Sequence, residues 1–334
     1  MIPLISFAAA VGFAPSDRPF AIVSTEHELR AAAGRTAREE CFTIILKGRI
    51  TLTSMVSIYG DSLSMIGVGD DAEIRFANPW DCNWAKLPPG NGIEIESNAA
   101  NIRNIKFTGF EWQGSTIKWN ADPKKSRLLL VDACQFVRCG RNWCPPRVAP
   151  PPTADDSHQS NVIGAHEQRN ASVVVSHCVF DQCALASQFY GHCMYLGVRQ
   201  ISVVDCTFRS CGNPFQIGYS NTTFEADVFV SGNRIEPGEQ SKDRAGVMQD
   251  PYFFVFGRRS RYVLVGNSLA GRWQIPMTGY YSRADDVVGF NDWRRSTIPG
   301  SMATDLETSR YISLEQWKRF EFESLWPTSQ PVRP

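Results

Sequence analysis

The apolar positions of this chain recur in short runs, not in long helical stripes. Val173-Val-Val-Ser-His-Cys-Val-Phe180 is echoed by Ile201-Ser-Val-Val-Asp-Cys-Thr-Phe208, then by Val228-Phe-Val-Ser-Gly-Asn-Arg-Ile235 and Tyr262-Val-Leu-Val-Gly-Asn-Ser-Leu269. Leu129 to Phe136 and Ile102 to Phe107 fit with small shifts. Each unit is a β-branched or apolar run, a Cys or Asn, one variable residue and a large apolar residue. The step is 28 residues from Cys178 to Cys206 and 27 from Cys206 to Asn233. One such unit is too short to bury its own apolar face, so it stacks on the next at about 4.8 Å per coil. A fixed period of this size predicts a solenoid.

A second family of runs interleaves with the first: Gly92 to Ser97, Ser115 to Asn120, Asn161 to His166, Cys193 to Val198, Pro214 to Tyr219 and Tyr252 to Gly257. Alternation turns Ile93, Ile95, Val162, Met194, Leu196, Phe215 and Ile217 inward, and Glu94, Glu96, Tyr195 and Gln216 outward. The expected architecture is all-β, a single right-handed parallel β-helix, since parallel crossovers run right-handed in nearly all cases. It spans 21–295, with a Pro-rich insertion near 140–160 (Cys144 to Pro152), after a possible leader over 1–20. The apolar stretch up to Ala14 lacks a preceding Lys or Arg, which leaves it an incomplete export signal. Extracellular or periplasmic placement is the expectation. Thr25-Glu-His-Glu28 is a capping box that opens a short helix over the first coil, and Ser313-Leu-Glu-Gln316 is another, opening a helix in the 296–334 extension.

Cysteines recur five apart as Cys134/Cys139, Cys178/Cys183 and Cys206/Cys211. In register they form vertical ladders that Asn233 and Asn267 continue. The spacing does not converge on a point as a zinc site requires, so they read as small buried thiols filling a corner. His177 and Asp205 fall at equivalent places on adjacent coils, a structural pairing. Lysine plus arginine (34) balance aspartate plus glutamate (34), which gives no pull toward nucleic acid. No apolar run reaches the length of a membrane span.

The stretches Thr43 to Ile50, Ser64 to Asp70, Asn101 to Phe107, Ser202 to Phe208 with Phe215 to Tyr219, and His192-Cys-Met-Tyr-Leu-Gly197 together resemble the pectate lyase superfamily. That resemblance implies a polysaccharide or oligosaccharide ligand, and a monomer or homotrimer. The aspartates that hold calcium in such lyases are not found in the matching coil, so no metal or cofactor is expected, although calcium stays open.

In this fold the outward residues of the second family line a groove along the coils. In coil order they are Glu94 and Glu96, Lys118 or Trp119, His166, His192 and Tyr195, then Gln216 and Tyr219. Tyr195 and Gln216 are expected to be neighbours, and His166 to lie within reach of His192. β-Elimination on a uronate needs a group to neutralise the carboxylate (Lys118, Gln216 or Arg258), a base (His166 or His192) and an acid (Tyr195). Hydrolysis by two carboxylates is the alternative. Glu94 and Glu96 lie roughly 6.5–7 Å apart along one strand face, within the inverting range. A non-catalytic glycan-binding or adhesin β-helix is the third reading. Trp80, Trp84, Trp112, Trp119 and Trp143 are candidate sugar-stacking surfaces.

Overall fold

The computed structural model describes residues 19–77, 91–110, 114–120, 127–140, 160–184, 191–217, 226–238, 241–242, 248–249, 254–255, 261–272, 287–289 and 292–297. The leader, the Pro-rich insertion and the carboxy-terminal helix expected from the sequence lie outside these residues.

Parallel strands stack in three columns, not two. The first column holds Phe20–Val23, the 43–47 part of Cys41–Leu52, the start of Ser62–Phe76, then Ala99–Arg103, Arg127–Asp132, the end of Ser160–Ser176, the end of Gly191–Val204, Asp227–Ser231, Arg261–Val265 and Val287–Gly289. The second column is made of shorter strands: the 49–52 part of Cys41–Leu52, the 73–76 end of Ser62–Phe76, Lys106–Thr108, Gln135–Val137, Val179–Asp181, Thr207–Arg209, Arg234–Ile235, Ser268–Arg272 and Asp292–Thr297 follow one another. The third runs from Val56–Tyr59 through Ile93–Glu96, Gly114–Asn120 and the starts of Ser160–Ser176 and Gly191–Val204 to Asn213–Ile217 and Phe254–Val255. This is a solenoid of parallel β-strands with one helix among the described residues.

The repeat Val173 to Phe180, one strand by its pattern, straddles a corner. Its turn residue, His177, has φ 52°, and Asn104, Ala133 and Asp205 stand at the same corner with φ 53°, 52° and 52°. Each of these four donates its N–H to a carbonyl of the next coil: Asp132, Ser176, Val204 and Ser231. Gly232 and Gly266 continue this left-handed row, at 67° and 64°, where glycine avoids the steric cost of positive φ. Non-glycine residues tolerate it because stacked neighbours fix the backbone from both sides.

The next residue in each turn points inside and carries the expected ladder. Cys134, Cys178 and Cys206 donate their thiols to the carbonyls of Ile102, Val131 and Val175 in the preceding coil, at 3.6, 3.6 and 3.7 Å. Asn233 and Asn267 do the same through Nδ2 to Val203 and Val230, both at 2.9 Å. Asn233 Nδ2 also bonds Asn267 Oδ1 at 2.9 Å, and Asn233 Oδ1 accepts the Cys206 N–H at 2.9 Å. A second ladder, Cys139, Cys183 and Cys211, donates to the carbonyls of Phe107, Phe136 and Phe180. Burial pushes the Cys134, Cys139, Cys178, Cys183 and Cys211 thiols well above their ordinary range, so they are protonated donors and not thiolates. All eight described cysteines are free of disulfides.

Between the columns Phe107, Phe136, Phe180 and Phe208 stack at centroid separations of 5.1, 5.0 and 4.8 Å, each ring nearly parallel to the next. Each pair contributes about 1 kcal/mol beyond its burial. At the amino-terminal end the helix Glu26–Thr36 carries the expected capping box and buries Leu29, Ala32 and Ala33 on the first coils. A strand that the pattern did not mark, Phe20–Val23, precedes the helix and pairs with 43–46. No helix among the described residues is long and apolar enough to cross a membrane.

Candidate functional site

The third column carries the predicted site, and its geometry departs from simple alternation at one step. Ile117, Ile163, Met194 and Phe215 share a level and are fully buried. The residue before each of them is buried as well: Thr116, Val162, Cys193 and Pro214. The Cys193 thiol adjoins that of Cys211 on the inner ladder, so it points inside, as Met194 does. Two consecutive inward residues leave positions 192 and 195 on the outer side, flanking the step. The His192 and Tyr195 ring centroids, 5.7 Å apart, show that the outer side chains converge there.

Two outer rows follow from the register. One is Glu94, Lys118, Gly164, Tyr195 and Gln216 on successive coils. The other is Ser115, Asn161, His192 and Asn213. The expected neighbours Tyr195 and Gln216 are paired, and Lys118, not Trp119, takes the outward place on its coil. Trp119 is wholly buried and its indole N–H donates to the Ser97 carbonyl at 3.0 Å, so it is core and presents no face to a sugar. Its partners Ile95 and Ala165 are core as well, which fixes the phase that the sequence left open.

His192 and Tyr195 are not an open groove lining. They are 1% and 4% exposed. The second row is sealed to the same degree, with Ser115, Asn161 and Asn213 each 2% exposed. The Asn161 Oδ1 has no hydrogen-bond partner among the described residues. A buried acceptor left unmet costs about 1–3 kcal/mol, which a ligand hydroxyl or water would recover. Sequence reasoning missed Ser115, Asn161 and Asn213. Their signal was a polar residue two places before the inward Ile117, Ile163 and Phe215.

Gly164 leaves one side-chain gap in the first row, between Lys118 and Tyr195. Glu94 accepts a hydrogen bond from Asn120 Nδ2 at 2.7 Å, while Glu96, more exposed, lines a separate cleft at the amino-terminal coils. The two glutamates share one strand face but have different surroundings. His166 is not set beside His192: Asn161 pairs with His192, whereas Ala165, the residue before His166, pairs with Leu196. Its side chain lies outside the described residues, as do Tyr219, Arg258, Trp80, Trp84, Trp112 and Trp143. Among the described residues no group of three or more metal-ligating side chains converges.

A second polar cluster lies on the left-handed corner. Asp132 accepts from Ser176 Oγ at 2.7 Å, pairs with His177 Nδ1 at 2.8 Å and with the Arg103 guanidinium at 2.8 Å, and His177 Nε2 stands 3.9 Å from Asp205. The expected His177–Asp205 proximity is present, but the closer partner of His177 is Asp132. Four successive coils are tied by this chain of contacts.

No family model matches the chain, and no curated protein matches its sequence.

Proposed function

We propose that the solenoid is a right-handed parallel β-helix of the pectate lyase-like kind, and that it is a polysaccharide lyase acting on a uronate-containing glycan at the outer rows of the third column. One observation carries the reading: Lys118, Tyr195 and Gln216 lie on one row, Lys118 two coils from Tyr195 across the side-chain-free Gly164 and Gln216 one coil beyond, with the His192 ring 5.7 Å from that of Tyr195. A coil step of about 4.8 Å is close to the advance of one sugar in an extended glycan. Lys118 neutralises the uronate carboxylate and so acidifies C5–H. His192 removes that proton, and the electron pair forms the C4=C5 bond. The C4–O bond breaks, and Tyr195 protonates the departing oxygen. Burial of His192 and Tyr195 favours this assignment, because proton transfer is tuned in a site that excludes bulk water.

The test is a panel of uronate polymers assayed for two products at once. The reading expects ultraviolet absorbance from unsaturated ends in step with new reducing ends. Reducing ends without that absorbance would replace elimination by hydrolysis through Glu94 and Glu96. Retained glycan with neither product would leave a binding module.

A further inference from the structure

We infer that the glycan accepted by this site carries its carboxylates singly, with a neutral or amine-bearing sugar next to each on the side of the amino-terminal coils. The inference rests on the elimination reading above and adds the class of substrate. The charge along the first outer row is not uniform. Lys118 is the cation of the row among the described residues. One coil toward the amino terminus stands Glu94, and one coil the other way Gly164, followed by the neutral Tyr195 and Gln216.

A carboxylate held at Lys118 places the next sugar of the chain, one step on, over Glu94. That carboxylate is held in place by the Asn120 amide at 2.7 Å. The row itself goes on to Ser57, while beside it, two residues along the same strands, Glu96 and Asn120 line a separate cleft of about 570 Å³ whose wall adds Glu39, Glu40 and Asp61 against the single guanidinium of Arg38. A second carboxylate arriving here meets like charge at about 5 Å, inside the screening length of about 8 Å at physiological salt. Toward Tyr195 and Gln216 no such repulsion operates. A polymer with an acid on every sugar is therefore opposed on one side of the reacting bond. One that alternates uronate with a neutral or amino sugar is not.

The full chain is assayed on a homopolyuronate and on an alternating uronate–hexosamine polymer of matched length, reading unsaturated product. The expected kcat/KM ratio favours the alternating polymer by about tenfold or more. Glu94→Gln, which keeps an oxygen for Asn120, should shrink that ratio by about tenfold, and raised salt should shrink it in the wild type. Equal rates on the two polymers overturn the inference, and so does a preference that neither Glu94→Gln nor salt alters. Absence of unsaturated product from both polymers overturns the elimination reading itself, together with the inference built on it.

Discussion

Two sets of polar side chains are stacked by the same coil-to-coil register and buried to the same depth, yet they differ in kind. On the inner corner, Cys134, Cys178, Cys206, Asn233 and Asn267 are at most 2% exposed, and every one donates to a carbonyl of the coil before it. On the outer side, Ser115, Asn161, His192 and Asn213 are at most 2% exposed, but the residue type changes at each coil and the Asn161 Oδ1 is unmet among the described residues. A ladder that holds coils together repeats one donor in one geometry. A row that varies from coil to coil, with a buried acceptor left over, is costly for stability, and the proposed lyase site would account for it.

The comparison is sharpened first at its base, the ring stack. Phe180→Ala removes the ring between Phe136 and Phe208 and should cost about 4 kcal/mol, read as a lowered urea midpoint. Next, Asn233→Ala strands the Cys206 N–H and the Val203 carbonyl and should cost about 3 kcal/mol. Asn161→Ala should cost less, about 1–2 kcal/mol, since its Oδ1 is already unmet and only the rest of the side chain is lost. Equal losses for the two asparagine variants would erase the distinction between the rows.

Smaller effects come from the corner cluster. Burial pushes the Asp132 carboxyl up, but hydrogen bonds from His177, Ser176 and Arg103, with the Arg103 charge, outweigh it and hold the group below the ordinary carboxylate range. Its folded pKa is thus below its unfolded value. The stabilisation is complete above the unfolded pKa, about 3.9, and is lost as pH falls through the folded value. Asp132→Asn should cost about 1 kcal/mol at neutral pH, and that difference should vanish in strong acid, as urea titrations across pH would show. The smallest change expected is Cys206→Asn, which swaps one ladder donor for the type used one coil later. It should move the midpoint by no more than about 1 kcal/mol.

Much of the fold was legible in the chain because stacking forces equivalent residues into the same place. The Cys178, Cys206 and Asn233 positions superpose as their spacing required, and the capping box at Thr25 and Glu28 opens a helix where expected. The corner at His177 was hidden, because positive φ at a non-glycine residue leaves no compositional mark and the apolar run continues across it. Tyr195 beside Gln216 followed from alternation. Trp119 did not, since an aromatic ring with a carbonyl partner is as much at home in a core as on a surface. The doubled inward step at Cys193 and Met194 was invisible to a strict period of two. That step is what joins His192 to Tyr195 and seals both.

The central claim is that this sealed pair does chemistry. Tyr195→Phe keeps the ring and removes only the hydroxyl, so its unfolding midpoint should match the wild type. On a polymer that the wild type cleaves, formation of unsaturated ends should fall by about 10²-fold or more if the hydroxyl protonates the leaving oxygen. An unaltered rate in a normally folded Tyr195→Phe protein would contradict the account.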